Sequence, residues 1–381
     1  MEDLGEIRQR IDRIDADICR LFAERMRCAH DVAVYKQAHG KPVLDRSRER
    51  AKLAKVASQV PADLADYTQV LFSLLMEMSR ASQNAELGGG SDLERRIFDA
   101  VTATPQLFPQ AAHVACQGVE GAYSQLAADR LFKRATISFY DSFEGVFEAV
   151  DEGVCRYGVL PVENSTAGTV HQVYDLMERH QFSIVRSLRL KVDHQLLALR
   201  GATLEGVRDI YSHQQAISQC RDFLAGLPNV EVHVCENTAA AAKLVAASGR
   251  TDAAALSSRS CAELYDLVTL AKNVQDKGNN YTRFACISKD LEIYPGADRT
   301  SLLVVTGNTP GSLCRVLQRL YALDINIVKL ESRPIPDSDF EFMFYFDLDV
   351  PVAAPEFAKL LASLDDLCEE YRYLGSYSEL V

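Results

Sequence analysis

Ile7-Arg8-Gln9-Arg10-Ile11-Asp12-Arg13-Ile14-Asp15-Ala16-Asp17-Ile18-Cys19-Arg20-Leu21 decides how the chain begins to fold. Its apolar residues Ile7, Ile11, Ile14, Ile18 and Leu21 recur at spacings of four, three, four and three, the seam of a coiled-coil-type helix. Nothing breaks the pattern before Gly40 and Pro42, so one helix of about 35 residues is expected, roughly 50 Å long. A second helix is expected from Asp45, its N-cap, to about Gln59. Pro61 and Asp63 open a third that reaches about Leu87, with Leu64, Tyr67, Leu71, Leu74, Leu75 and Met78 as its apolar stripe. One helix of the three is too long for a small domain to wrap, which predicts two chains interlocking to complete a bundle. Gly88-Gly89-Gly90-Ser91 then reads as a flexible break.

At 381 residues, 48% apolar and 25% charged, the chain has the composition of a soluble globular protein of two or three domains. The net charge of −12 disfavours nucleic acid or an anionic membrane surface as partner. Acidic and basic residues balance over residues 1–90, so a small anion still suits that segment. No stretch approaches the ~20 apolar residues of a membrane span, and the acidic start Met1-Glu2-Asp3 is not that of a signal peptide. Ten cysteines are scattered from Cys19 to Cys368 without a Cys-x-x-Cys, and the histidines form no His-Glu-x-x-His. Free thiols in a cytoplasmic protein are expected, with no metal and no cofactor.

From about His113 to Lys289, short apolar runs alternate with helical stretches, the α/β signature. The strands expected are His113–Cys116, Tyr157–Leu160, Leu196–Leu199 and Asp209–Tyr211; the helices are Ser124–Phe132, Phe143–Asp151 and Ala239–Ala247. So long a segment suits two lobes around a cleft. From Asp298 onward, Thr300–Thr306, Pro310–Leu323, Ile325–Leu330, Phe342–Val350, Pro355–Leu364 and Tyr371–Leu374 give the order β-α-β-β-α-β, which is ferredoxin-like. In Phe342–Val350, the residues Phe342, Phe344, Phe346 and Leu348 alternate with Met343, Tyr345, Asp347 and Asp349, as in a half-buried strand.

In the helical segment, Arg25 and Lys36 are eleven residues apart, about 20° round a helix and ~16 Å along it, a spacing that suits a small dianion. Arg8 falls about 100° away from Arg25 and would reach the same gap only from a second copy. Asp45, Arg48, Glu49 and Lys52 form a charged stripe, and Ser79 and Gln83 share a face. Read alone, these also fit solvated faces laced with salt bridges. Together, Leu4-Gly5-Glu6-Ile7-Arg8, Asp15, Ala23-Glu24-Arg25, Lys36, Pro42-Val43, Asp45, Arg48-Glu49-Arg50, Ser79 and Gln83 resemble the all-helical chorismate mutase family. The resemblance implies an intertwined dimer. Arg8 of one chain and Arg25 of the other would bind the carboxylates of chorismate, and Lys36 and Gln83 would donate to the ether oxygen. Glu49, with Asp45, would orient the ring hydroxyl, and Arg48 and Ser79 would line the pocket. Rearrangement to prephenate is pericyclic, so the site must hold a folded substrate and stabilise developing charge.

Gly118-Val119-Glu120-Gly121-Ala122-Tyr123-Ser124 follows a strand and opens a helix, where an anion would find backbone donors, but it is not a dinucleotide fingerprint. Pro161-Val162-Glu163-Asn164-Ser165-Thr166-Ala167-Gly168 reads alone as a turn and helix cap. Asn279-Asn280-Tyr281-Thr282-Arg283-Phe284 reads as a hydroxyl and a cation just before an apolar strand. Together these resemble prephenate dehydratase, which carries Gly-x-x-Gly-x-x-Ser, Pro-x-Glu-Asn and Thr-Arg-Phe on a two-lobed fold like that of solute-binding proteins. The resemblance implies Thr282 as the essential threonine, with Ser124, Glu163, Asn164, Ser165 and Arg283 as substrate ligands. One motif departs: the family commonly has Ser-His-Pro-Gln, and this chain has Ser212-His213-Gln214-Gln215.

Gly311-Ser312-Leu313 and Glu331-Ser332-Arg333-Pro334 resemble the phenylalanine-sensing pair of an ACT domain. The expected chain is multidomain: an all-α mutase bundle over 1–88, a linker over 89–111, a two-lobed α/β dehydratase over 112–290 and an α+β ACT domain over 298–376. That is the order of the bifunctional chorismate mutase–prephenate dehydratases. Chorismate and prephenate would be the substrates and L-phenylalanine the feedback effector at contacts between two ACT domains. The assembly would be a homodimer or larger. An amino-acid-binding regulator would explain the last two segments but not the register of Arg25, Lys36, Arg48, Glu49 and Gln83. A mutase fused to prephenate dehydrogenase would need a nicotinamide fingerprint, and none is present.

Overall fold

Asp3 starts the first helix, α1 (Leu4–Ala38), with a capping box in which its carboxylate accepts from the Gly5 N–H and Glu6 reaches back to the Asp3 N–H. The computed structural model describes residues 3–41, 45–86, 92–335 and 342–381. The Gly88–Ser91 break, the end of the third helix at Leu87, and Pro42 and Val43 lie outside the described residues. The second helix, α2 (Arg46–Ala57), is capped as expected by the Asp45 carboxylate, which accepts from the Arg48 N–H at 3.0 Å. After Pro61 a single 3-10 turn, Ala62–Leu64, leads into α3 (Ala65–Glu86).

α3 packs against both other helices, and Ala29, Ala33 and Val56 are buried. The seam does not join them. Ile11, Ile14, Ile18 and Leu21 are each at least half exposed, at 50, 52, 57 and 53%.

The chain forms two compact units. The first comprises Met1–Arg96, Leu303–Tyr345 and Ala353–Arg372, and the second Ile97–Leu302, Phe346–Val352 and Tyr373–Val381. In the first unit the helix Pro355–Leu367 packs on α3 and on the helix Ser312–Ala322. The C-terminal strands form one sheet in the order Asn326–Pro334, Phe342–Asp349, Arg299–Val305, Glu370–Tyr377.

The second unit holds two further sheets. In the first, Ala111–Gln117 pairs in parallel with Arg134–Tyr140 and Tyr157–Asn164; Tyr281–Ser288 then runs antiparallel to both Tyr157–Asn164 and Ser183–Lys191. In the second, the order is Val268–Ala271, Gln195–Ala198, Ala253–Ser257, Asp209–His213, Glu231–Cys235. The chain passes between the sheets twice, at residues 192–194 and 272–280. Phe132, Tyr157, Leu188 and Phe284 fill the core beneath the first sheet.

The 89–111 linker contains a helix, Asp92–Ala103, that buries Ile97 and Ala100. Two expectations need correction. Thr282 and Arg283 do not precede a strand but lie inside Tyr281–Ser288, and Glu331–Pro334 lies inside Asn326–Pro334. In Phe342–Asp349, Met343 and Tyr345 are buried while Phe342 is 44% exposed, and from Tyr345 to Leu348 both faces are covered. A strand buried on both faces loses its alternation.

Candidate functional site

In the helical bundle, Arg25 of α1 reaches α3, where its Nη1 donates to the Leu75 carbonyl at 2.7 Å and to Ser79 Oγ at 2.5 Å. Ser79 Oγ in turn donates to the Leu75 carbonyl at 2.7 Å. Partial burial lowers the Arg25 pKa, leaving a cation whose charge is poorly hydrated. One turn on, Gln83 is buried and its Oε1 has no hydrogen-bond partner among the described residues. Glu49 projects from α2 to form an ion pair with Arg80 of α3, a residue the sequence reading did not single out. Lys36 is half-buried near the end of α1, whereas Arg8, Asp45 and Arg48 are exposed. Arg25, Ser79, Glu49 and Gln83 therefore converge on α3, and Arg8 stands apart.

In the second unit, strand geometry sorts the motif residues by face. Thr282 lies opposite Asn164 and Arg283 opposite Glu163 in the antiparallel pair, and successive side chains point to opposite faces. On one face, Asn164 Nδ2 donates to Thr282 Oγ1 at 2.9 Å and to Asn280 Oδ1 at 2.9 Å. Asn164 Oδ1 accepts from the Thr166 and Ala167 N–H groups and from Thr166 Oγ1, folding the turn around itself. Ser165 fastens the same turn, donating to the Asn279 carbonyl and accepting from the Tyr281 N–H. On the other face, buried Arg283 pairs with Asp347 at 2.5 Å and Glu163 at 3.3 Å. Burial lowers the Arg283 pKa, but Asp347, Tyr377 and Tyr174 together outweigh it and the net shift is well upward. The structure thus separates Arg283 and Glu163 from Thr282.

Ser124 is also turned to structural use, its Oγ donating to the Gln117 carbonyl at 2.6 Å. Gly121 has φ +91°, and a Cβ there would stand 2.8 Å from Cys261 Sγ, so only glycine makes this turn.

A cavity of about 410 Å³ is lined by Thr166, Gln215, Gln219, Gln275, Lys277 and Asn280 among others, and Asn280 accepts from Asn164. Gln219 spans it. Its Nε2 donates to Thr166 Oγ1 at 2.7 Å, and its Oε1 accepts from Asn280 Nδ2 at 2.9 Å and from His194 Nε2 at 3.0 Å. Burial lowers the His194 pKa, so the ring is neutral and Nε2 carries the proton. Gln219, Asn280 and His194 escaped the sequence reading, although Asn280 stands in a quoted motif and Gln219 is one helical turn beyond Gln215. Gln214 occupies the first position of the helix Gln214–Gln219, capped by His213 Nδ1, which accepts from the Gln215 N–H. A proline would be at home there, so its absence leaves the helix start intact.

In the C-terminal segment, Gly311 (φ +86°) precedes the helix Ser312–Ala322, beside a hollow of about 260 Å³ whose lining includes Ser312, Leu313, Phe342 and Phe344. Glu331, Ser332, Arg333 and Pro334 lie on the edge strand of that sheet, where side chains alternate between half-buried and exposed. Among the described residues no helix is long and apolar enough to cross a membrane.

Residues 7–84 match the family model of chorismate mutase type II, and residues 114–292 that of prephenate dehydratase. The chain is 32% identical to the bifunctional chorismate mutase/prephenate dehydratase of Enterobacter agglomerans and 31% identical to that of Escherichia coli (strain K12). Each alignment covers 97% of this chain and 95% of the relative. Among solved structures, it is similar to the prephenate dehydratase of Arthrobacter aurescens in complex with L-Phe (26% identity, TM-score 0.64, 70% of this chain and 89% of that one). It is similar too to GqqA, described as a novel type of quorum-quenching acylase (33% identity, TM-score 0.64, 70% of this chain and 97% of that one).

Proposed function

Because the chain belongs to the family of bifunctional chorismate mutase/prephenate dehydratases, and is thereby both an isomerase and a lyase of phenylalanine biosynthesis, we propose which residues carry each step. In the mutase, Arg25 and Arg48 of one chain and Arg8 of a second copy bind the two carboxylates of chorismate, for which a guanidinium fork is suited. Lys36 and Gln83 donate to the ether oxygen as the C–O bond breaks, Ser79 holds Arg25 in place, and Glu49 accepts from the ring hydroxyl. Asp45 holds the start of α2, from which Glu49 projects.

In the dehydratase, the carrying observation is that Thr282 Oγ1 accepts a hydrogen bond from Asn164. A hydroxyl that accepts from a fixed amide has its own proton free for a second partner. We assign that partner as the departing ring hydroxyl of prephenate. The C–O bond then breaks as the ring carboxylate leaves as carbon dioxide, its C–C electrons completing the aromatic ring. The hydroxyl departs with the C–O pair as hydroxide, hydrogen-bonded to Thr282, and is protonated by solvent. An alcohol is a weak acid, so Thr282 contributes an oriented hydrogen bond rather than full proton transfer. The 410 Å³ cavity suits a substrate of this size, and Lys277 in its wall is the cation for the pyruvyl carboxylate. Ser124 and Ser165 hold the two motif turns in shape.

The C-terminal segment, 298–376, is read as a ferredoxin-like ACT domain following the mutase (1–88) and dehydratase (112–290). Its β-α-β-β-α-β order and aromatic-walled hollow support that reading. L-Phenylalanine would bind between Gly311-Ser312-Leu313 of one copy and Glu331-Ser332-Arg333-Pro334 of another, in a cytoplasmic homodimer or larger assembly.

Purified protein given chorismate should form prephenate and then phenylpyruvate, with the second step inhibited by L-phenylalanine. Thr282→Val, which keeps the shape and removes the hydroxyl, should let prephenate accumulate at an unchanged rate while phenylpyruvate formation falls at least ~100-fold. Phenylpyruvate formed by Thr282→Val at the wild-type rate would refute the assignment.

A further inference from the structure

Arg80 lies between two candidate mutase residues on α3, one position after Ser79 and three before Gln83. It is only 8% exposed. Among the described residues its sole hydrogen-bond partner is Glu49 Oε1, while Glu49 Oε2 has none. A buried guanidinium is costly unless paired, and a lone carboxylate on a helix samples several rotamers. Each group removes the other's freedom. Without Arg80, Glu49 would be free to turn toward Lys52, three residues on along α2.

Resting on the assignment of Glu49 above, we infer that Arg80 is a positioning residue of the mutase. It occupies Oε1 so that Oε2 is held ready to accept the ring hydroxyl of chorismate. Arg80 then acts on the reacting geometry and not on substrate affinity. Its effect belongs in kcat, and it depends on the charge at residue 49.

The experiment measures chorismate kinetics in the full-length chain for Arg80→Ala, Arg80→Lys, Glu49→Gln and the Arg80→Ala/Glu49→Gln double variant. Dehydratase turnover of supplied prephenate serves as the internal check on folding. Arg80→Ala should lower mutase kcat at least ~10-fold with KM changed less than ~3-fold, and Arg80→Lys should regain most of the loss. In the Glu49→Gln background, adding Arg80→Ala should cost less than ~2-fold. If the alanine variant loses helical circular dichroism, Arg80→Gln, which keeps donors without the charge, takes its place with the same expected loss.

A raised KM at normal kcat would mean that Arg80 binds substrate directly. Independent, multiplicative losses would show that it does not act through Glu49. An impaired Glu49→Gln beside a normal Arg80→Ala would overturn the inference alone; a normal Glu49→Gln would overturn the site assignment with it.

Discussion

Thr282 and Arg283 are neighbours in sequence and opposites in space. The strand sends Thr282 to Asn164 and Arg283 to Asp347, whose other oxygen accepts from Ser301 Oγ at 2.5 Å. The motif therefore sends one residue to the proposed catalytic face and the other into a buried ion pair, and sequence alone could not tell them apart because both faces of this strand are buried. A buried pair punishes the loss of one partner more than the loss of both, since the survivor is left charged and dry. Arg283→Met should thus cost about 3–5 kcal/mol and Arg283→Met/Asp347→Leu markedly less. Thermal unfolding of the two variants provides the comparison. The double variant should keep dehydratase kcat within ~3-fold, because the pair sits on the face away from Thr282. A well-folded double variant with no turnover would put Arg283 on the substrate.

Elements with strong periodicity or sharp punctuation were legible in the sequence. α1 and α2 fall where the apolar spacing, Asp45 and Gly40 put them, and Phe143–Asp151 is reproduced to the residue. Arg134–Tyr140, Ser183–Lys191 and Glu231–Cys235 went unread, since polar residues at their edges and ends dilute the pattern. The dehydratase motifs were legible as short strings, but the cavity wall was not, because Gln219 and Asn280 meet only after two sheets form. The same limit applies to Phe342–Asp349. Its exposed end places Phe342 and Phe344 beside the Gly311 turn, where they give the hollow an aromatic wall. Gly311 is an awkward probe of that hollow: a Cβ there meets nothing within 4 Å, but φ +86° strains any other residue. Phe344→Ala is cleaner. It should leave basal dehydratase turnover intact and raise the L-phenylalanine concentration for half-inhibition at least ~10-fold, as expected for an aromatic contact in a ligand pocket. An unchanged inhibition curve would move the effector elsewhere.

On the scale of the whole molecule, the exposed seam is the feature a single chain cannot explain. Ile11, Ile14, Ile18 and Leu21 recur along one helix, yet each keeps at least half its surface in water. Burying such a row in a second copy removes apolar surface at about 25 cal/mol per Å². The same pairing would supply what the mutase pocket lacks, because Arg8 lies on α1 far from the Arg25–Ser79 contact: 17 positions, or about 25 Å of helix. In a symmetric dimer each pocket would then draw Arg25 from one chain and Arg8 from the other. Arg8→Ala and Arg25→Ala homodimers should both be deficient in mutase activity. A heterodimer of the two has one pocket with both arginines and one with neither. Unfolding an equimolar mixture and refolding it should restore about a quarter of the wild-type mutase activity, as random pairing of two-pocket dimers requires. Dehydratase activity, whose candidate groups all lie within one chain, should be the same before and after mixing. Heterodimers demonstrated by differential tags but without recovered mutase activity would place Arg8 outside the pocket and leave the seam as an association surface alone.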